Sequence, residues 1–280
     1  MRMPASGRTL LQWLGGASDA IASVCFPAGC RLCDELLAHS SRVPICQRCL
    51  ATFAAAPGRH CEICGQPQPA FAAEPGETVL CRACQMGTYA FEKARSFGVY
   101  EGGLARAVVM LKWEQIQPLA TWFALRLAEV ASRAGEAFVA DVVVPVPLHK
   151  ARQKERGYNQ AALISKPLAR RLGLPYREML LIRTRPRPEK QILSLRERWA
   201  SVRGAFATRP GSQVDKRRVL LVDDVMTTGA TLDACARALL ESGAKAVVGL
   251  TVARAARNPL PTPGMDQRKR RDEREPAKGG

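Results

Sequence analysis

Eight cysteines stand in four C-x-x-C pairs: Cys30/Cys33, Cys46/Cys49, Cys61/Cys64 and Cys81/Cys84. Two residues between sulfurs let one tight knuckle aim both at a single ion. Two knuckles complete a tetrahedral four-thiolate site, the closed geometry of structural zinc. Gly65, directly after Cys64, offers a residue free to take the positive φ such a knuckle needs. A disulfide framework would need an oxidising compartment. The N-terminal apolar stretch is broken by Gln12, Gly15, Gly16 and Asp19, a poor secretory core. A redox C-x-x-C would be one motif in a βαβ context, not four in a turn-rich segment. An iron–sulfur cluster uses the same ligands and stands as an alternative. Used in sequence order, the pairs make one site from Cys30, Cys33, Cys46 and Cys49 and a second from Cys61, Cys64, Cys81 and Cys84; an interleaved brace is the other arrangement. Cys25 and Cys235 lie outside the pairs and read as packed thiols.

A second concentration of chemistry is residues 219–232, VLLVDDVMTTGATL. An apolar run leads into Asp223 and Asp224. A turn of small and hydroxylated residues follows, Thr227, Thr228, Gly229, Ala230 and Thr231, and opens a helix. Such residues let the backbone approach a ligand closely, so successive N–H groups and the helix N-terminus can cradle a phosphate. Two carboxylates beside that phosphate would repel it. They make sense if they hold neutral hydroxyls, or a Mg2+ ion, on the same ligand. Phosphoribosyl pyrophosphate, with its 5-phosphate, vicinal hydroxyls and metal-binding pyrophosphate, satisfies the set. Paired acids after an apolar strand also open receiver domains, but those need more β-α units than the chain after Asp224 can hold. The G-x-x-x-x-G-K-[ST] of a P-loop is absent.

The surrounding pattern is that of an α/β protein. Residues 97–112 end as a short amphipathic helix, and Pro118 opens a longer one over 118–134, with Leu119, Trp122, Phe123, Leu127 and Val130 at helical spacing. Strands are predicted at 141–148, 179–183, 218–222 and 246–252, and helices at 158–172 and 230–242, the latter stopped by Gly243. A long polar stretch, 184–203, separates the second strand from the third. This alternation predicts an open, doubly wound, mostly parallel sheet whose ligands bind outside the carboxyl ends of the strands.

The formal charge of +17 is uneven: residues 150–218 hold 19 Lys and Arg against 5 Asp and Glu. Either this is a solvated basic face, or it is a surface for phosphate-rich ligands or single-stranded DNA. No run approaches the roughly 20 apolar residues of a membrane span. The expectation is a soluble, cytoplasmic chain without a membrane span. Pro, Gly and charge without periodicity predict a disordered tail over 254–280.

The run 219–232 resembles the phosphoribosyl pyrophosphate motif of type I phosphoribosyltransferases. PVPLHKARQKERGYNQA, residues 145–161, resembles the corresponding run of the ComF/GntX family, which joins a zinc-ribbon segment to a phosphoribosyltransferase-like domain. Gln191, Arg198 and Gly204-Ala205-Phe206 fit that family's variable loop, although Ser201 stands where Asn is common. The resemblance spans the cysteine pairs, residues 100–112 and 141–253. It implies a type I phosphoribosyltransferase fold over 91–253, a double zinc-ribbon module over 25–90, a leading segment 1–24 and the tail. It implies that Asp223 and Asp224 hold the ribose hydroxyls, and that Thr227, Thr228, Gly229, Ala230 and Thr231 hold the 5-phosphate. Pro147, Leu148, His149, Lys150 and Arg152 would face the pyrophosphate, with Arg156 helping Mg2+ to neutralise it. His149 reads as lining that turn rather than as a base. Relatives of this kind are associated with DNA uptake in natural competence, which implies DNA-uptake proteins as partners. Two functions follow: phosphoribosyl transfer to an unidentified base, or non-catalytic handling of single-stranded DNA with the same pocket and a basic surface.

Overall fold

The computed structural model describes residues 29–37, 42–53, 58–69, 78–186, 194–212 and 214–255. Cys25, Arg187, Gln191 and nearly all of the predicted tail lie outside those residues. Four parallel strands form the central sheet: β1 (Lys93–Val99), β2 (Val142–Pro145), β5 (Arg218–Met226) and β6 (Ala246–Arg254), ordered β1-β6-β5-β2. β2, β5 and β6 are rich in Val and Leu because both faces of the sheet are covered. Every residue of β2 and β6 is buried.

Side chains alternate between two cores. Val143, Leu220, Val222, Val248, Leu250 and Val252 face α3 (Gly102–Trp113), α4 (Pro118–Ala134) and α6 (Gln160–Leu172). Val142, Val144, Val219, Leu221 and Val247 face the opposite way, toward α8 (Ala230–Glu241). Full burial of each such side chain contributes about 1.5–3 kcal/mol. The cysteine module is divided between the same two cores: Cys30, Ile45 and Phe53 belong to the first, Cys61, Cys64 and Cys84 to the second.

The helix predicted over 118–134 and the strand–helix–strand unit from β5 to β6 are found. Three differences have physical causes. The run 93–99 is a strand that the sequence reading passes over; KARSFGV has no clean alternation, and pairing with β6 from Lys93↔Val248 to Val99↔Arg254 holds it extended. The strand predicted at 179–183 is short, β3 (Leu181–Arg183), and lies outside the parallel sheet. It pairs antiparallel with β4 (Phe206–Thr208), because Tyr176 already bridges Val143 on the free side of β2. Finally, β5 runs four residues beyond its apolar stretch, carrying both acids within the strand, since β6 pairs with it as far as Met226↔Arg254. Arg254, assigned from sequence to the tail, therefore closes β6. The polar stretch 184–203 contains α7 (Leu195–Ala200), started by a capping box of Ser194 and Glu197. Lys150–Arg156 is a separate helix, α5, ending at the left-handed Gly157. Among the described residues no helix is long and apolar enough to cross a membrane.

Candidate functional site

The eight paired cysteines form two clusters in sequence order, Cys30/Cys33/Cys46/Cys49 and Cys61/Cys64/Cys81/Cys84, and the sulfurs within each cluster lie within 4.8 Å of one another. Zinc–sulfur bonds of about 2.3 Å in a tetrahedron put sulfurs roughly 3.8 Å apart. Cys33 and Cys46 are 3.7 Å apart, and Cys64 and Cys81 are 3.6 Å apart. Both clusters therefore fit structural zinc. They share one design. A knuckle is closed by an antiparallel bridge, Gly29↔Leu36 or His60↔Pro67, and the second pair sits at a short helix, α1 (Gln47–Ala51) or α2 (Arg82–Gln85). The residue after each knuckle has positive φ, Gly65 at 65° and Asp34 at 59°. Backbone amides point at the sulfurs: Cys46 N donates to Cys30 Sγ at 3.3 Å, and Cys49 N to Cys46 Sγ at 3.4 Å.

Residues 227–231 form the turn between β5 and α8. Gly229 adopts φ 83° as the N-cap of α8, and a Cβ there would come within 2.7 Å of the Tyr89 ring. Thr228 Oγ1 accepts from Ala230 N at 3.3 Å. β2 ends beside Val222, so the turn after it, with Pro147, Leu148 and His149, lies next to the acids. His149 caps α5, its Nδ1 accepting from Ala151 N at 3.3 Å, a positioning role compatible with lining that turn. Asn159 caps α6 and donates to the Val146 carbonyl at 3.0 Å, fixing the other side of the turn.

The two acids are not equivalent. Asp223 is half-buried and accepts from Asp224 N at 2.8 Å. Asp224 is buried, and one of its oxygens pairs with Lys112 Nζ at 2.8 Å. Its other oxygen is buried and, among the described residues, has no hydrogen-bond partner. That orphaned acceptor suits a ligand hydroxyl or a metal-bound water, and hard carboxylate oxygens suit Mg2+. Cations ring the site. Burial pulls Arg156 below the ordinary guanidinium value, and the charge of Asp224 opposes the shift. Arg156 stacks on Trp113 at 4.3 Å, Arg152 lies over the same ring at 5.8 Å, and Arg198 donates to Thr227 Oγ1 at 3.3 Å. With α7 resting on the turn, the hollow among Arg183, Arg198, Thr227, Thr228 and Thr231 is small, about 40 Å³. Larger hollows lie elsewhere, about 420 Å³ beside α8 and about 710 Å³ at the amino ends of β2 and β5.

The structure thus gathers Asp223, Asp224, the 227–231 turn, the 147–149 turn and Arg156 at the carboxyl ends of β2 and β5. Lys150 and Arg152 stand on the first turn of α5, exposed and half-buried respectively. Four residues that the sequence reading did not assign to the site belong beside it: Lys112, Trp113, Tyr89 and Arg254. Tyr89 donates to the Thr228 carbonyl at 2.8 Å, and Arg254 donates to the Thr227 carbonyl at 2.9 Å. Only Lys112 had a signal, a cation closing the amphipathic helix predicted to end at that residue.

Residues 159–266 match the family described as Phosphoribosyl transferase domain. A DNA utilization protein YhgH of Salmonella typhimurium is 32% identical over 79% of this chain and 94% of its own length. Competence protein F of Haemophilus influenzae is 28% identical over 78% of this chain and 93% of its own. Competence protein ComFC of Bacillus subtilis is 29% identical over 73% and 81%.

Metal analysis of protein purified without added metal is expected to give two zinc ions per chain; one ion, or iron with visible absorbance, would overturn the assignment. Lys112→Met should cost about 3 kcal/mol in urea unfolding, because it leaves a buried carboxylate without its cation. Lys112→Met combined with Asp224→Asn should recover much of that loss, whereas additive costs would show that the pair is not coupled.

Proposed function

The chain belongs to the family of competence protein F, ComFC and YhgH, and on that premise we propose that its site binds phosphoribosyl pyrophosphate, or a nucleotide with the same 5-phosphoribosyl group, together with Mg2+. One observation carries the reading. An acidic pair near the end of β5 is followed directly by the small-residue turn that opens α8, so hydroxyl acceptors and backbone N–H donors are neighbours in one short stretch. Successive N–H groups at 227–231 and the N-terminus of α8 receive the 5-phosphate. Asp223, the more open acid, accepts from the ribose hydroxyls, and the free oxygen of Asp224 offers a second acceptor. The 147–149 turn, Lys150, Arg152 and Arg156 face the pyrophosphate.

We further propose phosphoribosyl transfer as the reaction of this site. The C1–oxygen bond to pyrophosphate breaks, its electron pair leaving on oxygen, as a nitrogen nucleophile bonds to C1. Bound with the ligand, Mg2+ supplies charge neutralisation at the leaving group. The protein adds fixed cations, and α7 with its Arg198 narrows the site against water. Exposed Trp113 offers an aromatic edge beside it for a base. The thiolates of the two clusters suit a reducing cytoplasm, where we place the chain.

A second reading, handling of single-stranded DNA, is favoured by a separate feature. Arg177, Arg209 and Arg217 line the groove of about 710 Å³ at the amino ends of β2 and β5. Among the described residues none of these three guanidinium groups has a side-chain partner. Arg183 and Arg185 suit this role less, being engaged inside the β3–β4 ribbon: Arg183 Nε donates to the Arg185 carbonyl at 2.9 Å and stacks on Phe206 at 5.2 Å, and Arg185 donates to the Arg203 carbonyl. DNA-uptake proteins are the partners this reading implies.

Calorimetry of phosphoribosyl pyrophosphate with Mg2+, repeated with single-stranded DNA present, tests both readings. Competition places the strand in the pocket, and independent binding places it elsewhere. Asp223→Ala with Asp224→Ala should abolish phosphoribosyl pyrophosphate binding in a folded chain. Asp223→Ala alone, which spares the Lys112 pair, should weaken it at least about tenfold. Normal binding by both would make the pocket assignment wrong. Fluorescence anisotropy should show sequence-tolerant DNA binding that falls with salt, each neutralised phosphate adding about −0.7 to the log–log slope. Charge reversal at Arg177, Arg209 and Arg217 should flatten that slope. Binding indifferent to salt would leave the basic excess as a solvated face.

A further inference from the structure

Arg254 is 2% exposed and ends β6 opposite Met226, the last residue of β5. Its guanidinium reaches in two directions. One terminal nitrogen donates to the carbonyls of Thr227, at 2.9 Å, and Met226, at 3.3 Å. The other donates to Cys64 Sγ at 3.7 Å. Among the described residues no carboxylate pairs with it, and its Nε has no hydrogen-bond partner. A buried cation needs a counter-charge. Four protonated thiols offer none, whereas zinc with four thiolates carries a formal charge of −2. The second cysteine cluster is thus the anion that Arg254 faces, and it becomes one by holding metal.

A second contact runs from the same cluster to the same turn. The chain that supplies Cys81 and Cys84 continues to Tyr89, whose hydroxyl donates to the Thr228 carbonyl at 2.8 Å and whose ring packs on Gly229. Next to it, Ala90 N donates to Asp233 Oδ1 at 2.7 Å, in the first turn of α8. Peptide units are planar and trans, so a carbonyl and the N–H of the following residue point in opposite directions. Drawing the carbonyls of Met226, Thr227 and Thr228 toward Arg254 and Tyr89 therefore turns the N–H groups of Thr227, Thr228 and Gly229 the other way, as anion donors. Among the described residues the first cluster makes no such contact. Its Phe53 packs on Trp122 of α4, and its Arg31 pairs with Glu114 at 2.9 Å.

We propose that Arg254 is a positioning residue that couples metal at Cys61, Cys64, Cys81 and Cys84 to phosphate binding at 227–231, so that each ligand tightens the other. This rests on the reading that the turn holds a 5-phosphate. Linkage makes the effect reciprocal, and couplings of this kind are typically about 5- to 150-fold.

The test uses the full zinc-loaded chain and ribose 5-phosphate, which carries the 5-phosphate but no zinc-chelating pyrophosphate. Its binding is first measured by calorimetry. Zinc affinities are then measured by competition with a chromophoric chelator, with and without saturating ribose 5-phosphate. One of the two ions should tighten about tenfold and the other should not respond, giving an internal control. In Arg254→Met both ions should still bind, ribose 5-phosphate should weaken, and the selective response should vanish. Ribose 5-phosphate binding that leaves both zinc affinities unchanged, or shifts them equally, overturns the coupling alone. No binding of ribose 5-phosphate to the wild type overturns the phosphate reading and the coupling with it. The wild-type measurement decides even if the variant fails to fold.

Discussion

The pairing of β5 with β6 runs from Arg218↔Ala246 to Met226↔Arg254, and the rest of the candidate site depends on it. Both strands are longer than their apolar runs. The added length carries Asp223 and Asp224 to the carboxyl edge of the sheet, and it carries Arg254 into the interior. Because every residue of β6 is buried, each polar group on it must find an internal partner. Thr251 does so through Ser96 on the neighbouring strand, at 2.6 Å, and Arg254 through the turn carbonyls and Cys64. The extension that builds the site thereby ties it to the cysteine module.

That module is two four-cysteine units serving opposite faces of one sheet. The first packs where α3 and α4 cover the sheet; a Cβ on Gly103 would meet Phe53 at 2.8 Å, so the helix start and the cysteine unit are closely fitted. The second packs beside β1, where Ala94 N donates to the Ile63 carbonyl at 2.7 Å and Arg95 pairs with Glu62 at 3.1 Å. Units this small seldom bury enough apolar surface to fold alone, and structural metal commonly makes up that deficit. The edge strand β1 lies between the second unit and β6, so it is held from both sides despite its weak sequence pattern.

Much of this was legible in the sequence because the signals were local. Two residues between cysteines specify a knuckle, and the apolar run 219–222 followed by acids and a Thr-Gly turn specifies strand, site and helix within one short stretch. The order of cysteine pairing came out as sequence proximity suggested. What escaped was non-local. β1 exists because β6 is beside it, β3 left the main sheet because Tyr176 took the free side of β2, and Lys112 reaches Asp224 from a helix far earlier in the chain. A buried arginine at the end of an apolar strand, next to a charged tail, carries no local mark that distinguishes it from that tail.

Charge shows the same division. The basic excess of 150–218 reads in one dimension as a single surface, but folding sorts its members by what each one meets. Arg156 and Arg198 turn toward the candidate site, one beside Asp224 and one on Thr227, where they add positive potential to the Thr-Gly turn. Arg183, Arg185 and Arg218 are consumed by local structure: the β3–β4 ribbon takes the first two, and Glu92 at 2.8 Å takes the third. Arg177, Arg209 and Arg217 remain at the other end of the sheet. The two groups lie at opposite ends of β2 and β5, so an anion held by one would not neutralise the other. One chain can therefore present two anion-attracting surfaces that differ in kind, one preorganised around a short turn and the other open.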